Sequence, residues 1–238
     1  MGEHYTVRPL SAMRRVIAAR MQEAYSTIPH FRASADVEVG PLLALRSELR
    51  QMNPSVSLSL NDLLVKASAQ ALMDVPEVNI QWSDGELHQF VNADIAIVVA
   101  VKGGLVTPIV RAANLKSIRE ISVQARDLTA RAARNELKME EITGGSFSIS
   151  NLGMHGVDQF DAIINPPQCA ILAVGSAKPR CLAGPNGQVR VGTVMRATVS
   201  ADHRAIDGVT VARFLTALRT RIEQPSKLVS PVETRCNA

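Results

Sequence analysis

His203 and Ser150 are the two side chains in this sequence whose settings could do chemistry. His203 lies in Ser200-Ala201-Asp202-His203-Arg204-Ala205-Ile206-Asp207-Gly208, where a strand-like run gives way to a helix start. An unperturbed imidazole changes charge near neutral pH; fixed by rigid backbone, it could take a proton from a thiol. Ser150 belongs to Gly144-Gly145-Ser146-Phe147-Ser148-Ile149-Ser150-Asn151-Leu152-Gly153. Its hydroxyl sits where an alternating strand becomes a loop, after paired glycines that could bring backbone close to a ligand. Plainer readings exist for each residue. A histidine at a strand end often serves only to hydrogen-bond its neighbours. Asp207 is a good helix N-cap ahead of Val209, Gly208 permits a tight turn, and Ser150 could bond backbone.

Several other chemistries are excluded by spacing. No Lys-Ser or Lys-Thr follows the paired glycines at P-loop spacing, and no G-x-G-x-x-G occurs. A G-x-S-x-G elbow is also absent. The three cysteines, Cys169, Cys181 and Cys236, are odd in number and form no C-x-x-C. They argue for a reduced compartment (cytoplasm, or a mitochondrial matrix in a eukaryote) and against a disulfide frame or thiolate zinc site. The five histidines show no metal-ligand spacing, so no metal is expected.

The elements that must hold these side chains follow from periodicity. With 238 residues, 46% hydrophobic and only 3% aromatic, the chain can fill a core with Val, Ile, Leu, Ala and Met. Ser11 is placed to cap a helix through Met13, Ile17 and Met21, ending before Pro29. Ala33 to Val39 alternates as a strand. Pro41 opens a helix with Leu42, Leu45 and Leu49 on one face. Asn61 or Ser59 caps the next, through Leu64, Ala67, Ala71 and Leu72. Trp82-Ser83-Asp84-Gly85-Glu86 signals a hairpin. Ala93 to Val101 reads as one strand buried on both faces, and Leu105 to Val110 as a second extended piece.

Ser117 and Glu120 make a capping box for a helix ending near Leu137. Ser146 to Ser150, Ala170 to Val174 and Val191 to Ser200 are further strands. The last helix carries Val211, Leu215, Leu218 and Ile222. The expected architecture is a single α/β domain with a mixed sheet flanked by helices over residues 1–238, with an N-terminal arm at 1–10 and a polar C-terminal tail at 230–238. The longest apolar run, Ile95 to Val101, is too short to span a bilayer. The net charge of +4 could favour a phosphate-bearing ligand. Without a dense basic stripe or stacking aromatics, nucleic-acid binding is not expected.

His203-Arg204-Ala205-Ile206-Asp207-Gly208 resembles the H-R-x-x-D-G signature of dihydrolipoamide acyltransferases, the catalytic core of 2-oxo-acid dehydrogenase complexes. Three further stretches agree. Met13 to Met21 is similar to the segment that begins the family's catalytic domain, and Gly144 to Gly153 resembles its G-G-x-F-x-I-S-N-x-G stretch. Ile163-Ile164-Asn165-Pro166-Pro167-Gln168-Cys169-Ala170-Ile171-Leu172 is very like the pyruvate (acetyl) type. The resemblance implies a chloramphenicol acetyltransferase-like fold and a homotrimer with active sites between subunits. It implies that His203 of one subunit acts as general base on a thiol while Ser150 of its neighbour donates to the oxyanion, and that Asp207 orders the histidine loop through a buried ion pair, with Arg14 or Arg15 as partner. Coenzyme A and a lipoyl arm would be the substrates, and a lipoyl domain and other dehydrogenase-complex components the partners.

Two departures qualify that expectation. No lipoyl or subunit-binding domain is recognisable, so the lipoyl group would come from another chain or from a missing N-terminal domain. The polar tail after Val229 differs from the apolar plug usual in cage-forming cores, so a trimer is expected ahead of a larger cage. The rival functions are a fold relative with another acyl acceptor and a non-catalytic scaffold.

Overall fold

In the computed structural model, which describes residues 4–54 and 57–229, Ser11 caps helix α1 (Ala12–Thr27) by accepting from Arg14 N. The helix runs past Met21 because no breaker precedes Pro29. Only Ala24 of α1 is buried, and Val16 and Tyr25 are exposed. Strand β1 (His30–Glu38) follows, then α2 (Gly40–Met52), with Pro41 in its first turn where a missing N–H does no harm. Helix α3 (Leu60–Asp74) is capped by Ser59, not Asn61. Ser59 and Asp62 satisfy each other's backbone N–H in a capping box.

The expected hairpin is β2 (Ile80–Ser83) and β3 (Glu86–Gln89). The apolar run at 93–101 is not one strand. It divides into β4 (Ile95–Ile97), which is buried, and β5 (Val99–Val101), which turns away to pair with β6 (Gly104–Val106). The break falls at Val98, whose N–H bonds Ile149 O. Short β7 (Ile109–Val110) returns to β4. Helix α4 (Ile118–Ala133) has the expected Ser117–Glu120 box and stops short of Leu137. A one-turn α5 (Met139–Ile142) was not legible in the sequence.

The remaining elements carry the site: β8 (Phe147–Asn151), β9 (Ala170–Val174), β10 (Lys178–Ala183), β11 (Val189–Asp202) and α6 (Gly208–Glu223). The sheet is mixed and seven-stranded, in the order β1-β11-β9-β8-β4-β7, with β10 pairing the first half of β11. The β4–β8 and β8–β9 pairs are parallel; the others are antiparallel.

The two faces of the sheet are covered unequally. Val37, Phe147, Ile149, Leu172, Met195, Ala197 and Val199 join α3, α4 and α6 in the main core. Among the described residues, the alternate residues Ile171 and Ala173 meet a smaller cluster of Ala24, Ile28, Ala162 and Ile164, with Val98, Phe160 and Ile163 packed against it. Among the described residues, no helix is long and apolar enough to cross a membrane.

Candidate active site

Strand β11 delivers His203 to the sheet's edge and stops. The His203 N–H bonds Pro29 O at 3.0 Å, and Ala205 and Ile206 N–H both bond Asp202 O, at 3.0 and 2.9 Å. These bonds curl the chain tightly before α6 begins. The imidazole is exposed and stands edge-on to Phe31, with ring centroids 5.2 Å apart and planes at 86°, a favourable aromatic geometry. Gly208 makes room for this pair, since a Cβ there would lie 3.2 Å from Phe31 Cζ.

Asp207 is the N-cap of α6, and its Oδ1 accepts from Thr210 N at 2.7 Å. The bond from the Thr210 backbone, then the Thr210 hydroxyl, with a smaller contribution from the charge of nearby His203, hold this carboxyl below the usual carboxylate range. Its ionised form therefore stabilises the fold. That stability is present above the ordinary carboxylate pKa and is lost as pH falls through the lowered value. Asp207→Ala is expected to lower the thermal midpoint at neutral pH, and Asp207→Asn, which keeps a capping oxygen, to lower it less. Thermal scans from neutral pH into the acid range should show wild type losing its margin over both variants only at the acid end.

Within one chain, the ion pair of this loop does not involve Asp207. Asp207 is exposed, and no ion pair to it forms among the described residues. Arg15 Nη1 instead bonds Leu10 O at 2.8 Å, and Arg14 lies exposed on α1. The pair is Asp202 with Arg204, on either side of His203, at 2.6 Å, with the Asp202 side chain only 1% exposed. The reason is geometric: Asp207 faces the first N–H groups of α6, whereas Asp202 ends the buried half of β11 and, among the described residues, pairs with Arg204. Cys169 lies close by, and burial, with the Asp202 charge, pushes its thiol up to about 12. This cysteine stays protonated and unreactive at neutral pH.

Ser150 is half-buried near the end of β8. Phe147 and Ile149 point into the main core, so Ser146, Ser148 and Ser150 point to the thinly covered face. The turn before β8 is held by buried amides. Gln81 Nε2 bonds Gly145 O at 2.6 Å, Gln168 Nε2 reaches Gly144 O at 3.4 Å, and Ser148 Oγ bonds Gln168 Oε1. Gly145 adopts φ +83°, and a Cβ there would meet Gln168 Nε2 at 3.0 Å. Glycine is needed on both counts.

The register does not bring the two candidate side chains together within one chain. Ser150 pairs with Ala173, and Ala173 pairs with Thr198. His203 lies five residues further along the chain from Thr198. At about 4.8 Å between strands and about 3.3 Å per residue, the two sites are roughly 20 Å apart. The two side chains therefore cannot meet at one point within a single chain. Sequence reasoning quoted Asp202, Arg204 and Trp82 without assigning them to the site. Their signal was an acid and a base flanking the histidine at a spacing of two.

Among curated proteins, the dihydrolipoyllysine-residue acetyltransferase component of pyruvate dehydrogenase complex from Rickettsia bellii (strain RML369-C) is 41% identical over 230 residues. That match covers 95% of this chain and 55% of the relative, so the chain spans about half the length of the curated relatives it matches. Among solved structures, Azotobacter vinelandii dihydrolipoamide acetyltransferase superposes with a TM-score of 0.90 at 26% identity, covering 95% of this chain and 94% of that one. That work concerns a serine, a histidine and, four residues beyond the histidine, an asparagine in the catalytic mechanism. Chloramphenicol acetyltransferase aligns with a TM-score of 0.54 at 16% identity, over 86% of this chain and 94% of its own, a likeness of fold alone. Residues 2–230 match the family of 2-oxoacid dehydrogenases acyltransferase (catalytic domain), and with the sheet, the histidine turn and the glycine-led serine strand all in place, the chain belongs to that family.

Proposed function

We infer that this chain transfers an acetyl group between dihydrolipoamide and coenzyme A, with active sites built between the subunits of a homotrimer. The observation that carries the reading is the register: His203 and Ser150 sit roughly 20 Å apart in one chain, so a complete site needs a second copy. The exposed apolar residues Leu10, Val16 and Tyr25 on and before α1 support such an assembly. The thinly covered sheet face that carries Ser150 supports it as well.

The chemistry follows from ordinary acidities. A thiol with a pKa of about 8.5 is mostly protonated at neutral pH. Neutral His203 takes that proton as sulfur attacks the thioester carbonyl. The carbonyl oxygen gains charge, and the Ser150 hydroxyl of the adjacent subunit donates to it. The tetrahedral intermediate collapses, the leaving sulfur departs, and protonated His203 returns the proton to it. One thioester is exchanged for another, so electrons and protons balance without a further reactant.

Asp207 serves the turn, not the substrate. The Azotobacter relative has an asparagine at the same spacing from its histidine, and both residue types cap helices. The lipoyl arm would come from a lipoyl domain of the complex, in the same longer protein or another chain.

The test is direct. Purified chain is mixed with acetyl-coenzyme A and dihydrolipoamide, and free coenzyme A is followed while mass in solution is measured. Thiol-dependent release by a trimer is expected. No release above buffer, or full activity from a monomer, overturns the reading.

A further inference from the structure

We propose that Arg204, bonded to Asp202 and lying over the Trp82 ring, is a positioning residue that fixes the His203 turn. This rests on the role given above to His203. Four contacts tie Arg204 to the Asp202 carboxylate. The Arg204 backbone N–H and Nε each lie 3.0 Å from Oδ1, Nε lies 3.2 Å from Oδ2, and Nη2 lies 2.6 Å from Oδ2. The guanidinium carbon sits 4.8 Å from the centroid of the Trp82 ring, within range of a cation–π contact.

His203 is the residue between the two charged partners. Its Cα is therefore enclosed in a short ring closed by a charge-assisted fork, while its N–H is tied to Pro29 O. The far end of the clamp is also anchored. Trp82 lies on β2, and its N–H bonds Pro167 O at 2.9 Å. Asp202 N–H bonds Cys169 O at 2.8 Å. The histidine turn, the β2–β3 hairpin and the 167–169 segment are thus fastened at one point.

Arginine suits this place for two reasons. Its planar fork matches the carboxylate while its charge lies over the indole, a combination a compact ammonium cannot supply. It also stays charged throughout the physiological range, so the fork to Asp202 persists. Hydrogen bonding to Asp202 raises the guanidinium pKa further still, reinforcing that constancy.

The test compares Arg204→Lys, Trp82→Leu and Trp82→Phe in the assembled protein. Arg204→Lys and Trp82→Leu are expected to lower kcat about 10- to 100-fold, the scale of a 1 Å misplacement of a catalytic group. KM for coenzyme A should stay unchanged. Trp82→Phe, which keeps an aromatic face, should retain most of the rate. The independent readout is the NMR signal of the His203 ring. Phe31 packs at nearly a right angle against that ring, so its chemical shifts should move in the two damaging variants and hold in Trp82→Phe.

Wild-type kcat with unmoved His203 signals in Arg204→Lys overturns the proposal. A raised KM at unchanged kcat also overturns it, because that would make Arg204 a substrate contact. If Arg204→Lys fails to fold, Trp82→Leu decides alone, since it leaves the ion pair intact. If wild type transfers no acyl group, the functional reading fails and the His203 signals still decide this one.

Discussion

Replacing His203 with alanine is expected to lower kcat for acetyl transfer by about 10²- to 10⁴-fold, the usual contribution of a positioned general base. KM for coenzyme A should change little, because the imidazole acts on the proton and not on the body of the substrate. The fold should survive. His203 is exposed, its backbone bond to Pro29 O does not involve the side chain, and the turn's charges reside on Asp202 and Arg204. A steady-state assay beside a thermal scan checks both halves. An unchanged rate in a folded variant would remove His203 from the mechanism and favour the scaffold reading.

Ser150→Ala should lose roughly 3 kcal/mol of transition-state stabilisation, the size of a single oxyanion donor, or about 10²-fold in rate. Its more telling use is in mixture. His203→Ala and Ser150→Ala chains, each nearly inactive, are dissociated together in equal amounts and reassembled. If each site takes its histidine from one subunit and its serine from the next, random reassembly restores about a quarter of the wild-type sites. A site made within one chain restores none. The register predicts recovery, and its absence after verified subunit exchange would sink the shared site.

Much of this architecture was legible because local chemistry and tertiary role agree in it. Ser11 and Ser117 cap helices where their side chains suggest, and Val211, Leu215, Leu218 and Ile222 face the core as their spacing requires. The alternating run that became β8 is a strand as its pattern suggests, with Phe147 and Ile149 in the core. Other features depended on information no local pattern holds. Residues 93–101 are uniformly apolar, so nothing in their periodicity marks the change of sheet at Val98. The residues of β10 are mostly exposed and include Pro179, and they form a strand only because β11 is long enough to pair with them. The ion pair was expected at Asp207 from the family resemblance alone. Burial, visible only in three dimensions, selects Asp202.

The separation of His203 from Ser150 has a consequence for the life of the polypeptide. A newly made copy holds His203 and Ser150 on distant parts of the same scaffold, so if the two act together as proposed, one chain alone has no complete site. Solitary chains would then leave cellular thioesters alone. Competence would arrive at the moment of companionship, and dilution alone would be enough to silence the enzyme.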